Sequence, residues 1–298
     1  MIRNLLLSFS CALLGCSAAL AAAAQYTVIQ DIEYTQHPVS LRLDAHVPPG
    51  RGPFPAVILV HGGGWTAGNK TANFVLPLFE PLTKTGYTWF TIDYRLAPQY
   101  PYPAAVEDVQ SAITFAKQHA GEYKVDTKKI ALMGESAGAH LVNLVGARNQ
   151  PPYDVAAVVS FYGPIDMLEF CKKFEGKPPT GGLQSFFQIT EWNDGAMAKI
   201  REASPATYLS SKTPPFLFIH GTEDEAVPYA QATLAVELFK EYGIPCHLIT
   251  VQGGIHGVIN WEKDPKFQGY KTEMIDWLHG PFGGIHGREV EPVSPIRP

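Results

Sequence analysis

Hydrophobic and polar positions alternate with a period of two in one segment near the N-terminus and form continuous apolar runs elsewhere. Residues 39–47 carry apolar side chains at every second position, which predicts a strand with one buried face, and 26–34 is expected to be its antiparallel partner. The apolar run 56–60 instead predicts a strand covered on both faces. Further short apolar runs occur at 87–92, 130–133, 155–161, 216–219 and 247–251.

Helix-like patterns fill most of the stretches between these predicted strands. They span residues 72–84, 104–119, 139–147, 229–242 and about 267–278. Strands that alternate with helices are typical of an α/β domain, in which a mostly parallel sheet carries helices on both faces. The sequence therefore predicts that residues 25–280 form one catalytic domain with this α/β architecture.

Residues 167–203 interrupt the alternation and are expected to form a lid-like insertion. The segment is rich in proline, glycine and aromatic residues. A connection this long in a compact domain is typical of a lid or binding loop, although a surface subdomain that only packs would have the same pattern. We expect Phe186 and Phe187 to line a substrate pocket. Beyond the last helix, residues 281–298 are predicted to be a flexible C-terminal tail.

The first 24 residues differ from the rest of the chain. Arg3 is their only charge, an apolar stretch follows it, and small residues precede Ala24, so the segment predicts a secretory signal peptide cleaved after Ala24. We therefore expect an exported protein, secreted or periplasmic. As an alternative, residues 13–16 resemble a bacterial lipobox, which would give a lipid anchor at Cys16. An uncleaved membrane anchor is disfavoured because serines interrupt the apolar stretch.

Composition and charge narrow the classes of function. The chain has 298 residues, 46% of them hydrophobic and 17% charged, with a formal net charge of −5, which argues against intrinsic disorder. No cluster of Lys and Arg is present to bind nucleic acid. Outside the leader only Cys171 and Cys246 remain, and whether they pair is left open. Neither CxxC nor HExxH occurs, so the sequence predicts no metal site.

Ser136 is the candidate nucleophile. It lies at the centre of the sequence Gly134–Gly138 (GESAG), between a predicted strand and a predicted helix. A serine on this sharp turn needs glycines two positions before and after it, because larger side chains would collide with the neighbouring strand and helix. The turn exposes the hydroxyl near the start of the helix.

A glycine-rich loop with the sequence HGGGW, residues 61–65, directly follows the strand predicted at 56–60. Consecutive glycines let backbone N–H groups approach an oxygen on which negative charge develops. A phosphate-binding loop is the competing interpretation, but neither the Lys-Ser/Thr pair nor GxGxxG is present. We therefore predict an oxyanion hole formed by Gly63, Gly64 and Ala137, with Trp65 next to the substrate.

A serine nucleophile needs a base, and the base needs a carboxylate to orient it. The expected chain order in this arrangement is serine, then acid, then histidine. Asp224 follows the predicted strand 216–219, and its spacing is favoured over that of its neighbours Glu223 and Glu225. His256 lies in a glycine-rich loop after the strand predicted at 247–251. The other candidate bases are His61, expected to brace the glycine loop, His220, expected to be structural, His279 and His286.

Four motifs in this order resemble those of the α/β-hydrolase serine esterases related to hormone-sensitive lipase and to bacterial feruloyl and acetyl xylan esterases. They are HGGGW at 61–65, DYRLAP at 93–98, GESAG at 134–138 and HGxxD at 220–224. The resemblance covers about residues 38–279. It implies an α/β-hydrolase fold, a triad of Ser136, Asp224 and His256, and structural ion-pairing roles for Asp93 and Arg95.

The chain departs from the hormone-sensitive-lipase branch in one respect. In that branch a large cap usually precedes the first motif, whereas here the stretch between residues 25 and 61 is too short to form one. The insertion 167–203 is therefore expected to provide any cover, which favours the carbohydrate-esterase side. The sequence predicts a serine carboxylesterase that needs no cofactor and acts on short acyl or aryl esters, such as acetyl or feruloyl groups on plant polysaccharides. The alternatives are a serine peptidase of the prolyl-oligopeptidase type and a non-catalytic binding protein with this fold.

Overall fold

A computed structural model describes residues 25–36, 38–174, 177 and 179–280. The predicted signal peptide 1–24, with Cys16, and the predicted tail 281–298, with His286, lie outside the described residues. No disulfide joins Cys171 to Cys246. Over the described part of the chain, no helix is both long and apolar enough to cross a membrane.

Eight strands in the described residues form a single sheet with the order β1-β2-β4-β3-β5-β6-β7-β8. The strands β1 and β2 pair antiparallel, β2 pairs antiparallel with β4, and every later pairing is parallel. The predicted α/β architecture is therefore confirmed. Their bounds are β1 Thr27–Thr35, β2 Leu41–Val47, β3 Phe54–Val60, β4 Thr88–Ile92, β5 Val125–Glu135, β6 Ala157–Phe161, β7 Phe216–Gly221 and β8 Cys246–Val251.

The α-helices of the described chain follow the strands in sequence and cover both faces of the sheet. Short 3-10 turns occur at Leu76–Leu78, Lys172–Phe174, Pro205–Tyr208 and Pro265–Phe267. The helix bounds are α1 Phe79–Lys84, α2 Ala104–Gln118, α3 Ala137–Arg148, α4 Met167–Cys171, α5 Gly181–Phe187, α6 Asp194–Glu202, α7 Ala230–Glu241, α8 Val258–Trp261 and α9 Tyr270–His279.

Side chains of the central strands alternate between two hydrophobic cores. In β3, Ala56, Ile58 and Val60 pack in the core that α2, α3 and α7 cover. Val57 and Leu59 point to the opposite face, where α1, α8 and α9 complete a smaller core. All five side chains are fully buried, which explains why β3 reads as a continuous apolar run rather than as an alternating one.

Two of the predicted elements differ in extent from the structure. The helix predicted at 72–84 is a 3-10 turn at Leu76–Leu78 followed by the short helix α1. Pro77 and Pro81 lack a backbone N–H, so a continuous helix from residue 72 would lose hydrogen bonds at both positions. The strand predicted at 130–133 is longer in the structure, where it extends over all of β5. The prediction was too short because the first half of β5 carries exposed polar residues, which an apolar pattern does not include.

In its described residues, the insertion 167–203 folds into the 3-10 turn Lys172–Phe174 and three short α-helices, α4 to α6, that pack on the face covered by α2 and α3. Phe186, Phe187 and Ile200 are fully buried in that core. The backbone of the insertion also lies against the glycine loop: a Cβ atom added at Gly182 would collide with the carbonyl oxygen of Gly64. The insertion is therefore a packed unit beside the glycine loop.

Candidate active site

The loop from β5 to α3 holds Ser136 in a strained backbone conformation. Ser136 has φ +54° and ψ −117°, and its N–H donates to the carbonyl of Phe161 on the adjacent strand at 2.9 Å. A Cβ atom at Gly138 would collide with the carbonyls of Val60 and His61, and one at Gly134 would meet the backbone of Gly138. These contacts explain both glycines of the motif, because the turn closes only where no side chain intervenes.

His256 joins Ser136 to Asp224, as the sequence predicts. Its Nε2 lies 2.9 Å from the Ser136 Oγ, and its Nδ1 lies 2.7 Å from Asp224 Oδ2. Ser136 is half-buried, the His256 side chain is 29% exposed and the Asp224 side chain is fully buried. Three residues from distant parts of the chain thus form one hydrogen-bonded line whose reactive end is open to solvent.

Asp224 is held in its charged form. Its Oδ1 accepts the N–H groups of Ala226 and Val227 at 2.9 and 2.8 Å. Burial acts to raise the pKa of the carboxyl, but hydrogen bonds from His220 and His256 outweigh it and lower the pKa well below its ordinary value. The neighbouring Glu223 and Glu225 are exposed, and neither is hydrogen-bonded to His256, so the structure brings only Asp224 to the base.

Of the other candidate bases, the three that lie in the described residues form no hydrogen bond with the Ser136 hydroxyl. His61 is buried, stacks on Tyr94 at 4.2 Å, and contacts the Gly62 carbonyl through Nδ1 at 2.7 Å. Burial lowers its pKa to about 4, so the ring is neutral and braces the glycine loop as expected. The Nε2 of His220 contacts the Val227 carbonyl at 2.9 Å, and that of His279 contacts Thr85 at 3.2 Å.

The glycine loop carries backbone donors with no partner in the described chain. Gly63 and Gly64 have φ +101° and +60°, a region that favours glycine. Within the described residues, the N–H groups of Gly63, Gly64 and Ala137 have no hydrogen-bond acceptor. Ala137 is the first residue of α3, where a helix leaves its N–H groups unsatisfied.

Glu135 is a buried acid in the site that the sequence analysis did not single out. Its Oε1 accepts the N–H of Gly62 at 2.5 Å, and its carboxyl accepts a hydrogen bond from the Tyr162 hydroxyl. Tyr162 in turn accepts the N–H of Val258, and its ring lies 4.7 Å from that of His256. Glu135 thus connects the glycine loop to the loop of the base. The sequence signal that could have identified Glu135 is an acidic residue at the end of a buried strand.

Burial raises the pKa of Glu135 to about 7, although the hydrogen bond from Gly62, the nearby His256 and the hydrogen bond from Tyr162 act to lower it. Its side chain is almost fully removed from solvent. The site therefore contains two buried carboxyls with opposite shifts, Asp224 downward and Glu135 upward.

The three predicted substrate-binding aromatics are packed rather than exposed. Trp65, with φ +61°, stacks on Phe186 at 4.9 Å and donates its Nε1–H to His140 Nδ1 at 3.2 Å. His140 Nε2 donates in turn to the Ala203 carbonyl at 2.8 Å, and burial lowers its pKa to about 4. Trp65, Phe186 and Phe187 are each 5% exposed or less. Their contact with substrate stays a prediction. The link through His140 was missed because its partner is 63 residues away.

Asp93 and Arg95 take structural roles. Arg95 Nε bonds both oxygens of Asp108 at 2.9 Å, and Nη2 bonds Glu107 at 2.8 Å. Asp93 accepts the backbone N–H of Lys70 at 2.8 Å, but no ion pair involving Asp93 is found among the described residues, so the expected ion pairing occurs at Arg95 alone. Among the described residues, no group of three His, Cys, Asp or Glu side chains is placed to hold a metal ion.

Solved structures with the same fold are abundant. "Truncated form of carbohydrate esterase from gut microbiota" has a TM-score of 0.77 and 23% identity, covering 88% of this chain and 98% of that one. "Bifunctional GH43-CE" of Bacteroides eggerthii has a TM-score of 0.74 and 27% identity, covering 86% of this chain and 38% of that one. The fold is that of the α/β-hydrolase esterases, which confirms the prediction made from the four motifs.

Sequence relatives agree with this result. A Mycobacterium tuberculosis protein named "Probable carboxylic ester hydrolase LipM" is 31% identical over 236 residues, which is 71% of this chain and 51% of the relative. The chain spans about half the length of the curated relatives it matches. The sequence profile of the BD-FAE family matches residues 43–239, more than half of the chain, and this protein belongs to the BD-FAE family.

Proposed function

We propose that this protein is a serine carboxylesterase. The observation that carries the proposal is the unbroken hydrogen-bonded line from the Ser136 hydroxyl through His256 to the buried Asp224. Ser136 also occupies the exposed turn between β5 and α3, where an ester carbonyl can reach its hydroxyl. Relatives named as ester hydrolases support the same activity.

The geometry accounts for each proton transfer. Asp224 accepts the Nδ1–H of His256, which leaves Nε2 without a proton and able to accept the one on Ser136 Oγ. As that proton moves, Oγ forms a bond to the carbonyl carbon. His256 then returns the proton to the departing alcohol, and the acyl group stays on Ser136. Water, deprotonated by His256, then attacks the acyl carbon, the bond from that carbon to Oγ breaks, and His256 returns the proton to Ser136 Oγ as the acid leaves.

The glycine loop and the start of α3 stabilise the charge that develops on the carbonyl oxygen. The unpartnered N–H groups of Gly63, Gly64 and Ala137 supply the donors for this oxyanion. In comparable sites each such donor contributes about 2.7–4 kcal/mol to the stability of the transition state. The hydrogen bond from the Gly62 N–H to Glu135 holds the glycine loop against the end of β5.

We propose short acyl or aryl esters as the substrates, with acetyl and feruloyl groups on plant polysaccharides as the natural examples. The support is the carbohydrate esterase and the GH43-CE protein among the structural relatives, together with family membership. The packed stack of Trp65 and Phe186 beside the glycine loop supports a restricted acyl pocket.

A substrate panel tests this proposal. Nitrophenyl esters of increasing chain length are assayed beside acetylated xylan and methyl ferulate, with the Ser136→Ala variant as the control. We expect hydrolysis of the acetate or ferulate compounds, a decline with longer aliphatic chains, and no hydrolysis by the variant. Equal activity of the variant, or hydrolysis of peptide substrates alone, would contradict the proposal.

The leader pattern of residues 1–24 supports a further proposal, that the protein is exported and begins at Gln25, or at a lipidated Cys16. N-terminal sequencing of the protein from its native host tests both forms. An intact Met1 in the purified protein would contradict both.

A further inference from the structure

A second concave site lies at the far end of α3, around Arg148. The cavity has a volume of about 240 Å³, below the range of drug-sized ligand pockets and suited to one small ring-shaped ligand. At 1.5 Å of rise per residue, α3 separates this cavity from Ser136 by about 16–18 Å. The esterase mechanism uses none of its residues.

Arg148 reaches this cavity with part of its guanidinium uncommitted. Its Nη2 contacts the hydroxyls of Tyr102 and Tyr208 and the carbonyl of Glu202, each at 3.1 Å. The guanidinium also lies 4.5 Å above the ring of Tyr208. Within the described chain, Nε and Nη1 have no acceptor, and no carboxylate forms an ion pair with Arg148.

An arginine in this position favours an anionic ligand. Arg148 is half-buried, and a partly desolvated cation is stabilised by a charge-assisted hydrogen bond to an anion. A guanidinium presents its N–H groups as a planar fork that matches a carboxylate. Arg148 is the only cationic side chain among the residues described as lining the cavity, which suits a single negative charge better than a phosphate dianion.

Three further polar side chains of the cavity are uncommitted, whereas the Tyr208 hydroxyl bonds to Arg148 and to the Glu202 carbonyl. Gln110, Gln150 and Tyr153 line it, and their side chains make no hydrogen bond to another described residue. Two amides and a phenol offer both donors and acceptors for hydroxyl groups. The rings of Tyr153 and Tyr208 add flat apolar surface.

We infer that this cavity is a binding site for a sugar acid, a hexuronate in its carboxylate form. The carboxylate pairs with the free N–H groups of Arg148, the hydroxyls bond to Gln110, Gln150 and Tyr153, and the C–H face of the ring lies against the tyrosines. A neutral sugar leaves Arg148 without a counter-ion, and a simple carboxylate leaves the amides unused. The site is independent of the proposed ester hydrolysis.

Isothermal titration calorimetry on the full chain tests the inference, with D-glucuronate as the probe and D-glucose, acetate and inorganic phosphate as comparisons. We expect glucuronate to bind at least tenfold more tightly than each of the other three. The Ser136→Ala variant should bind it as the unaltered protein does, which separates this site from catalysis. Equal affinity for glucose, acetate or phosphate, or no binding of glucuronate, would overturn the inference.

Variants locate the site. Arg148→Lys keeps the charge but loses the planar fork, so glucuronate should bind at least tenfold more weakly. Because Arg148 also joins Tyr102 to Tyr208, thermal unfolding must show that this variant is folded. Gln150→Ala alters an exposed side chain and should weaken binding severalfold with ester hydrolysis unchanged. Gln118→Ala, an exposed glutamine outside the cavity, is the matched control. Unchanged binding in both Arg148→Lys and Gln150→Ala would refute the site.

Discussion

Two buried carboxyls serve the same active site, and their pKa values are shifted in opposite directions. Asp224 accepts two backbone N–H groups and contacts two histidines, and these donors lower its pKa despite burial. Glu135 accepts one backbone N–H and one tyrosine hydroxyl, and burial raises its pKa to about 7. The comparison teaches that the number and kind of hydrogen-bond donors, and not burial alone, decide the direction in which the pKa of an acid in this site shifts.

The largest loss of activity is expected from changing Ser136 or His256, which form the hydrogen-bonded line with Asp224. Ser136→Ala and His256→Ala should each lower kcat by up to about 10⁶-fold, because triad residues act as a unit. For the same reason the double variant should be scarcely slower than either single variant. Steady-state kinetics on a nitrophenyl acetate provide the measurement. Additive losses in the double variant would mean that the two residues act separately.

Changing Asp224 itself tests the charged side of the comparison. Asp224→Asn should lower kcat by about 10⁴-fold, since the amide no longer holds His256 in the tautomer with Nε2 free. Glu225→Gln, at the exposed residue directly after Asp224, is the matched control and should retain full activity. A larger loss of kcat in Glu225→Gln than in Asp224→Asn would show that Glu225, and not Asp224, orients His256.

Changing Glu135 tests the carboxyl whose pKa is raised, and the quantity to measure is the stability of the fold. The folded pKa of about 7 lies above the ordinary glutamate pKa of 4.5, so the stability that this carboxyl contributes is fully present below pH 4.5 and is lost as pH rises through 7. Glu135→Gln carries no titrating proton. Its stability relative to the unaltered protein should therefore rise between pH 4.5 and 7, by up to about 3 kcal/mol at 1.36 kcal/mol per pKa unit.

Urea unfolding at several pH values measures this difference. Asp224→Asn provides the opposite sign, because a lowered folded pKa contributes stability that is present above the unfolded pKa and lost as pH falls through the folded one. If the unfolding free energies of the two variants changed with pH in the same direction, the claim that the two carboxyls have opposite pKa shifts would be wrong.

The smallest effect is expected at the packed aromatics. Phe186→Leu should loosen the stack on Trp65 and raise the ratio of kcat/KM for bulky over short esters severalfold. Phe187→Leu, which does not stack on Trp65, is the matched control. An equal loss on every ester in the panel would indicate damage to packing without a role in specificity.

The sequence predicts the triad that contains Asp224, but it does not predict the role of Glu135. Ser136, Asp224 and His256 follow strand ends in a fixed order, so short motifs were enough to place them. Glu135 was in the same motif, yet its role depends on Tyr162 and Gly62, which only the folded sheet brings to it. The insertion was recognised by length, but its helices of five to nine residues are too short to show a period, and the burial of Phe186 could not be inferred.

Covalent labelling of Ser136 tests the central claim most directly. Diethyl 4-nitrophenyl phosphate is attacked by a serine activated as this structure describes, with formation of an Oγ–P bond and release of 4-nitrophenolate. We expect one diethylphosphoryl group per chain, located on Ser136 by peptide mass spectrometry, with no label on the Ser136→Ala variant and much slower labelling of His256→Ala. A label on another residue, or labelling of His256→Ala at the unaltered rate, would contradict the account.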